Sequence, residues 1–382
     1  MHKNNPELAT DKAKDLVRMA VAKVALMEPL EEAELQVDQT ALVIGGGISG
    51  MATAKSLAVQ GYETHIVEQS SKLGGQALNI FKTYKGEDVQ EELAGMIKQV
   101  ENNEKIHVHL NTGLSNVEGF VGNFKSTLTT EGQEKAKITL EHGVAVVATG
   151  AAPYIPDEYS YGKDQRILTS LELDRKFIEN DPSLSKLENV VFIQCVGSRD
   201  SERPYCSRVC CTHSIDSALE LKQKNPDMNV YILYRDIRTY GEREYIYKEA
   251  REAGVIFIRY ALERKPVVEL TGGKILIKIV DHVLGLPVEI EADLLTLATA
   301  IIPNKDSKLA NFFKVPVNDD GFYIEKHAKL GPSEFATDGV FLCGMAHYPK
   351  PVDESIAQGK AAAARAVTLL AQKNINTSGT VA

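Results

Sequence analysis

Tryptophan is missing from this 382-residue chain, which decides nothing, but three other absences exclude whole classes of function. No apolar run approaches the roughly 20 residues needed to span a bilayer, so an integral membrane protein is not expected. No block of lysine and arginine interrupts a formal net charge of −9, so nucleic acid and anionic membrane surfaces are poor partners. The opening MHKNNPELATDK is polar and lacks the apolar core of a secretory signal, which points to the cytoplasm. Cysteine is scarce, with five in all, yet four of them (Cys195, Cys206, Cys210 and Cys211) fall within seventeen residues. In a reducing compartment such clustering signals metal binding or redox work more often than structural disulfides. The 43% of hydrophobic residues suffices for two or three domains with proper cores.

Residues 11–28 read as one amphipathic helix, with Leu16, Ala20, Val24 and Met27 at helical spacing and Pro29 after the last turn. It either packs on its own domain or serves as a docking arm. A linker, Glu31–Gln39, leads to ALVIGGGISGMATAKSLAVQGYETHIVEQ, which reads as strand, glycine loop, helix and strand. Gly45, Gly47 and Gly50 form G-x-G-x-x-G directly after the apolar strand Ala41–Ile44. The first glycine permits the tight turn, the second lets the backbone approach a pyrophosphate, and the third lets the helix pack close to the strand with its N-terminus facing the phosphates. Glu68 ends the next strand, where an acid suits a ribose 2′-hydroxyl.

Three later features favour FAD as the dinucleotide. Gly74 and Gly75, in KLGGQ, can approach the pyrophosphate again; Gly143–Gly150 is a buried strand ending in Ala148, Thr149 and Gly150; and TDGVFLCG, ending at Gly344, precedes a helix from about Glu354. The candidate cofactor residues are therefore Gly45, Gly47, Ile48, Ser49, Gly50, Glu68, Gln69, Gly74, Gly75, Gln76, Ala148, Thr149, Gly150, Gly344, Met345 and Ser355. From 40 to 370 these segments resemble the thioredoxin-reductase-like flavoproteins, in which a second nucleotide domain interrupts the FAD domain. That resemblance implies an α/β chain with two Rossmann-type domains, the second inserted in the first. It implies an arm and linker over 1–38, a first FAD half over 39–155, an inserted domain over 156–295, a second FAD half over 296–370 and a polar tail over 371–382. The group usually carries an Asp after the glycine at 344, and Met345 stands there instead.

The inserted segment offers strands from Asn189, Asn229 and Gly254, a hairpin-like run Lys274–Glu289 and a closing strand Asp293–Thr299. Where a pyridine-nucleotide domain needs a second glycine fingerprint, the chain has only Gly197, with Cys195 at the strand end, so the nicotinamide site reads as lost. Arg235 then reads as a surface arginine rather than a 2′-phosphate ligand.

The cysteines follow Cys-x10-Cys-x3-Cys-Cys. Cys206 and Cys210 at i and i+4 share a face if the turn is helical, and a loop-to-helix cup brings in Cys211 and Cys195. Thiolates suit iron–sulfur clusters and zinc alike, and a redox dithiol or four small buried hydrophobes are further readings. A neighbouring flavin favours a [4Fe-4S] cluster, because zinc carries no electrons.

Here the chain resembles one family over nearly its whole length, the A subunit of heterodisulfide reductase and its relatives. VIGGGISGMATA, KLGGQA, FIQCVGSRD, YCSRVCC, Arg235–Gly254, Asp353–Ala364 and AVAKVALMEPL carry the resemblance. It implies an oxidoreductase with FAD and a [4Fe-4S] cluster on Cys195, Cys206, Cys210 and Cys211, the cluster replacing NAD(P)H as the flavin's redox partner. It also implies a homodimer and partner subunits of the B and C types. Long members carry ferredoxin modules with Cys-x2-Cys-x2-Cys-x3-Cys runs, one after a stretch like GFVGNF; no such run occurs here, so the chain reads as a short form. Bifurcating members are expected to place a lysine where Asp216 stands, which points to one-electron relay without bifurcation. An NAD(P)H-dependent disulfide reductase is the alternative. His213 and Cys343 read as ordinary helix and packing residues.

Overall fold

The computed structural model describes residues 5–28, 34–130, 137–304 and 307–376. Val37–Gln372 forms one compact unit, and the remainder of both termini forms another.

The large unit is built on two five-stranded parallel sheets. The first runs in the order Val340–Leu342, Val144–Val147, Ala41–Ile44, Thr64–Val67, Ile106–His109. Its inner strands read ALVI and VAVV and are buried at every position, as strands covered on both faces must be. One face packs under the glycine-loop helix Ile48–Val59 and the return helix Val352–Leu370. These two helices are tied by Thr53, whose hydroxyl donates to the Gly359 carbonyl at 3.0 Å. The other face packs under an antiparallel meander of Thr112–Phe120, Asn123–Thr130 and Lys137–His142.

The second sheet runs Ile167–Thr169, Leu294–Thr299, Asn189–Val196, Asn229–Tyr234, Ile256–Arg259. The cysteine helix, Cys210–Lys224, buries Ile215, Ala218 and Leu221 against one face. The run 274–289 belongs to a three-stranded meander of Val267–Thr271, Lys274–Val280 and Pro287–Ala292, one strand more than the hairpin expected. The chain passes between sheets twice, through Ala151–Pro153 and Ile301–Pro303, and these crossings pair antiparallel. Strand Leu294–Thr299 lies wholly in the second sheet, so a division at 295/296 cuts through one element.

In the smaller unit the helix spans Pro6–Ala25, beginning earlier and ending earlier than the 11–28 expected. Proline at its first turn supplies a fixed φ and loses no needed N–H. None of its residues is buried. Glu34–Gln36 and Asn374–Asn376, read as linker and tail, pair antiparallel; strands of three residues are too short to leave a periodic signal. Pro29 lies outside the described residues. Among the described residues no helix is long and apolar enough to cross a membrane.

Candidate functional site

One cavity is walled by both sheets of the large unit. Its first wall is the glycine loop. A Cβ on Gly50 would sit 1.9 Å from the Gly45 carbonyl oxygen, and one on Gly45 would sit 2.3 Å from the Ala148 carbonyl oxygen, so no larger residue fits at either position. Gly47 is the opposite case, with nothing nearer to such a Cβ than Gly75 at 4.0 Å. Its open side lies at the N-terminus of Ile48–Val59, which has no side-chain cap. Free N–H groups at a helix start, unobstructed, form an anion site. The second glycine pair meets the first through a bridge between Gly47 and Gly74.

Gly45, Gly47, Ile48, Ser49, Glu68, Gly74, Gly75, Gln76, Ala148, Thr149, Gly150, Met345 and Ser355 all line the cavity. Gly50, Gln69 and Gly344 do not. Gly50 packs against the loop, Gly344 packs against Ser49, and Gln69 is exposed. Gln69 follows the strand end, where alternation turns its side chain away from that of Glu68. Glu68 also acts locally. It accepts from the Gly46 N–H at 2.6 Å and the Ser70 N–H at 2.8 Å, fixing the loop. Thr212 is one of the lining residues, and its hydroxyl is buried without a partner, an unfilled demand of the kind that calls for explanation. The cradle therefore fits an extended dinucleotide.

The opposite wall is the cysteine segment. Cys206 precedes the helix, which begins at Cys210, so the shared helical face expected for these two is absent. Arg208, with φ 61°, breaks the turn between them. Cys195, Gly197 and Arg199 also adopt positive φ, a conformation a loop keeps only when its surroundings fix it. Arginines supply the fixing. Arg235, expected at the surface, is buried and donates to the Arg199 and Ser198 carbonyls at 2.8 and 3.0 Å. Arg203 donates to the Gly197 carbonyl. Arg208 donates to the Pro349 carbonyl at 3.2 Å and pairs with Glu354 at 3.1 Å.

The four thiols surround one region without converging on a point. Cys210 donates to the Thr299 carbonyl at 3.6 Å and Cys211 to the Asp236 carbonyl at 3.7 Å. Cys195 faces the Arg199 guanidinium at 3.8 Å and Cys206 accepts from the Arg208 N–H at 3.3 Å. Among the described residues no three His, Cys, Asp or Glu side chains are gathered as around a single ion. Burial, then the charges of Cys211, Cys195 and Cys206, push the Cys210 thiol well above its ordinary pKa, and burial pushes Cys211 up to about 11. Thiols so held are poor nucleophiles. Beside Cys195, both amide atoms of Gln194 are buried and unpartnered. Of the four cysteines, Cys210 reaches the cavity wall. Cys343 is fully buried in the core of the first sheet, its sulfur 3.5 Å from the Thr53 hydroxyl.

His213, set aside in the sequence, and Asp216, singled out there as standing in place of a lysine, are both cavity residues. His213 donates from Nε2 to the Asp174 carboxylate at 2.9 Å; burial opposes its charge, but the attraction and hydrogen bond of Asp174, with help from Asp216, raise its pKa. Asp216 lines the cavity half-buried. Burial raises its pKa to about 6, with Asp174 and Glu220 adding to the shift and His213 and Lys82 opposing it. Sequence reading also missed Lys82, Thr83, Tyr240, Arg243 and Lys350 on the same wall. Only Lys350 left a signal: a charged residue between prolines before an alanine-rich helix.

These features define a two-sheet oxidoreductase of the flavoprotein type, and the comparisons agree. Residues 14–191 match the family model for pyridine nucleotide-disulphide oxidoreductases. Thioredoxin reductase from Lactococcus lactis shares the fold with TM-score 0.59 and 17% identity over 88% of this chain and 99% of its own. That from T. acidophilum gives 0.57 and 15% over 87% and 99%.

The chain belongs to the family of heterodisulfide reductase A subunits. It is 33% identical to the A subunit of the H(2):CoB-CoM heterodisulfide,ferredoxin reductase of Methanothermobacter thermautotrophicus, over 96% of this chain and 69% of the relative. It is 30% identical to the iron-sulfur A subunit of the CoB–CoM heterodisulfide reductase of Methanocaldococcus jannaschii, over 97% and 70%.

Proposed function

We propose that this chain is a flavin and iron–sulfur electron-transfer subunit of a heterodisulfide-reductase-like complex. It holds FAD in the cavity and a [4Fe-4S] cluster on Cys195, Cys206, Cys210 and Cys211. It acts in the cytoplasm as a homodimer with B- and C-type partner subunits, and disulfide chemistry takes place on those partners. The observation that carries the reading is that the glycine loop and Cys210 wall the same cavity. Family membership and the names of the relatives support it, and no glycine fingerprint follows Asn189–Val196 to serve a nicotinamide.

When bound, FAD exchanges two electrons and a cluster exchanges one at a time. The chain's own residues perform the remaining work. The N–H groups following Gly47 bind the pyrophosphate, and Glu68 orients the first ribose while holding the loop. The cysteine loop, stapled by Arg235, would present Cys210 to the cavity. Asp216 and the Asp174–His213 pair would hold protons at the same cavity. Asp216 in place of a cation argues for relay without bifurcation.

Anaerobic purification with flavin, iron and sulfide assays tests this. One FAD and about four irons per chain are expected. One FAD with zinc, or with no metal, overturns the cluster and revives a dithiol reductase.

A further inference from the structure

Lys350 plays no part in the function proposed above. Only 3% of it is exposed. Its ammonium donates to the Gly344 carbonyl and lies 3.8 Å from the centroid of the Tyr348 ring. Among the described residues no carboxylate forms an ion pair with it. The nearby carboxylates are engaged elsewhere: Glu354 pairs with Arg208 at 3.1 Å and Glu325 with His347 at 2.8 Å. Arg208 and His347 add like charge or compete for those acids. Removing an ammonium from water without a counter-ion costs several kcal/mol. Burial accordingly pulls the Lys350 pKa down to about 7. Lys350 is also one of the residues lining the cavity, so a group bound there can supply the counter-charge that the protein does not.

The position of Lys350 decides which part of a dinucleotide supplies that charge. The phosphate end is already served by the free N–H groups after Gly47. Segment 349–354 is fastened instead to the cysteine loop: Arg208 donates to the Pro349 carbonyl at 3.2 Å and pairs with Glu354. Both cations lie against Tyr348, with Arg208 at 5.1 Å and Lys350 at 3.8 Å from its ring centre. The same wall carries Val352 and Ser355 from the first turn of the return helix. That helix start has no side-chain cap, and the acids of its first turn, Asp353 and Glu354, are paired with Arg243 and Arg208, so its dipole and Lys350 add positive charge on the cavity side.

We propose that Lys350 is the cation facing the flavin ring, stabilising the negative charge that the ring gains on reduction. The proposal rests on FAD occupying the cavity. It assigns the lysine to the ring rather than to the pyrophosphate, and it makes the flavin easier to reduce.

The test compares wild type with K350M and K350R. FAD per chain is measured first, and its absence from wild type defeats the parent reading alone. The flavin midpoint potential is then measured by equilibration with a reference dye. K350M is expected to keep FAD and to shift the reduction equilibrium about tenfold toward the oxidised form, about 30 mV lower for a two-electron couple. K350R, which keeps the charge, is expected to stay within about twofold of wild type on that scale. An unchanged potential in FAD-loaded K350M overturns the proposal. So does a K350M protein that binds FAD more weakly at unchanged potential, because the lysine then serves the pyrophosphate. Should K350M lose FAD outright, K350Q saturated with added FAD carries the same measurement: a lowered potential supports the proposal and an unchanged one overturns it.

Discussion

The two parallel sheets begin alike and diverge at one loop each. Both have a buried central strand that runs into a turn and then a helix pointing at the shared cavity: Ala41–Ile44 with Ile48–Val59, and Asn189–Val196 with Cys210–Lys224. After the first strand the loop is short and nearly free of side chains, and the binding groups are backbone N–H. After the second strand the loop is long, strained and held by arginines, and its candidate binding groups are sulfur atoms. A scaffold that positions a helix N-terminus is thus indifferent to what is bound there. The loop chemistry selects a polar nucleotide in one case and, on our reading, a metal cluster in the other.

The contrast is sharpest in the separability of the two loops. Gly50→Val drives a side chain into the Gly45 carbonyl. FAD should become undetectable by absorbance in the purified protein, while iron stays above half the wild-type content. Loss of both would show that the two loops form as one unit. Cys210→Ser is the mirror experiment: iron and sulfide should drop to near background with FAD retained, and a full iron content would remove Cys210 from the ligand set. Arg235→Met removes two hydrogen bonds from a buried guanidinium. It should cost about 2–3 kcal/mol, seen as a melting point several degrees lower with iron depleted and FAD intact. An unchanged melting point would mean that the loop holds its own shape.

The smallest effect concerns protons. Burial raises Asp216 to about 6 in the folded chain, above its value of about 3.9 when unfolded. Between these values the folded state binds more protons, so this residue's contribution to stability is greatest below about pH 4 and declines as pH rises through 6. Asp216→Asn should remove that decline, on the order of 1–2 kcal/mol across the window, in urea titrations at pH 4 and 6.5. Parallel stability profiles for the two proteins would place Asp216 in water.

The glycine half of this comparison was legible in the sequence because its information is local. Three glycines, an apolar strand and an acid at the next strand end declare a turn, a close approach and a ribose contact within one βαβ unit. The cysteine half was legible only as composition. The four sulfurs could be counted, but no spacing rule announces the left-handed Arg208 that separates Cys206 from the helix. Arg235 looked like a surface residue because the carbonyls it holds belong to a loop 36 residues upstream. Lys82 and Lys350 reach the cavity from elements far apart in the chain, so the acid at 216 could be read from the sequence and the cations lining the same cavity could not. The paired strands of the termini escaped notice because three residues cannot display a period.

The crossings Ala151–Pro153 and Ile301–Pro303 are hydrogen-bonded to each other through three paired positions. They work like a zipped double hinge. Swivelling one sheet against the other would have to twist that paired ribbon and pull Arg208 away from Glu354. On our reading these contacts hold the separation between the flavin and the cluster, and electron passage between them should be indifferent to solvent viscosity, as transfer through a rigid conductor is.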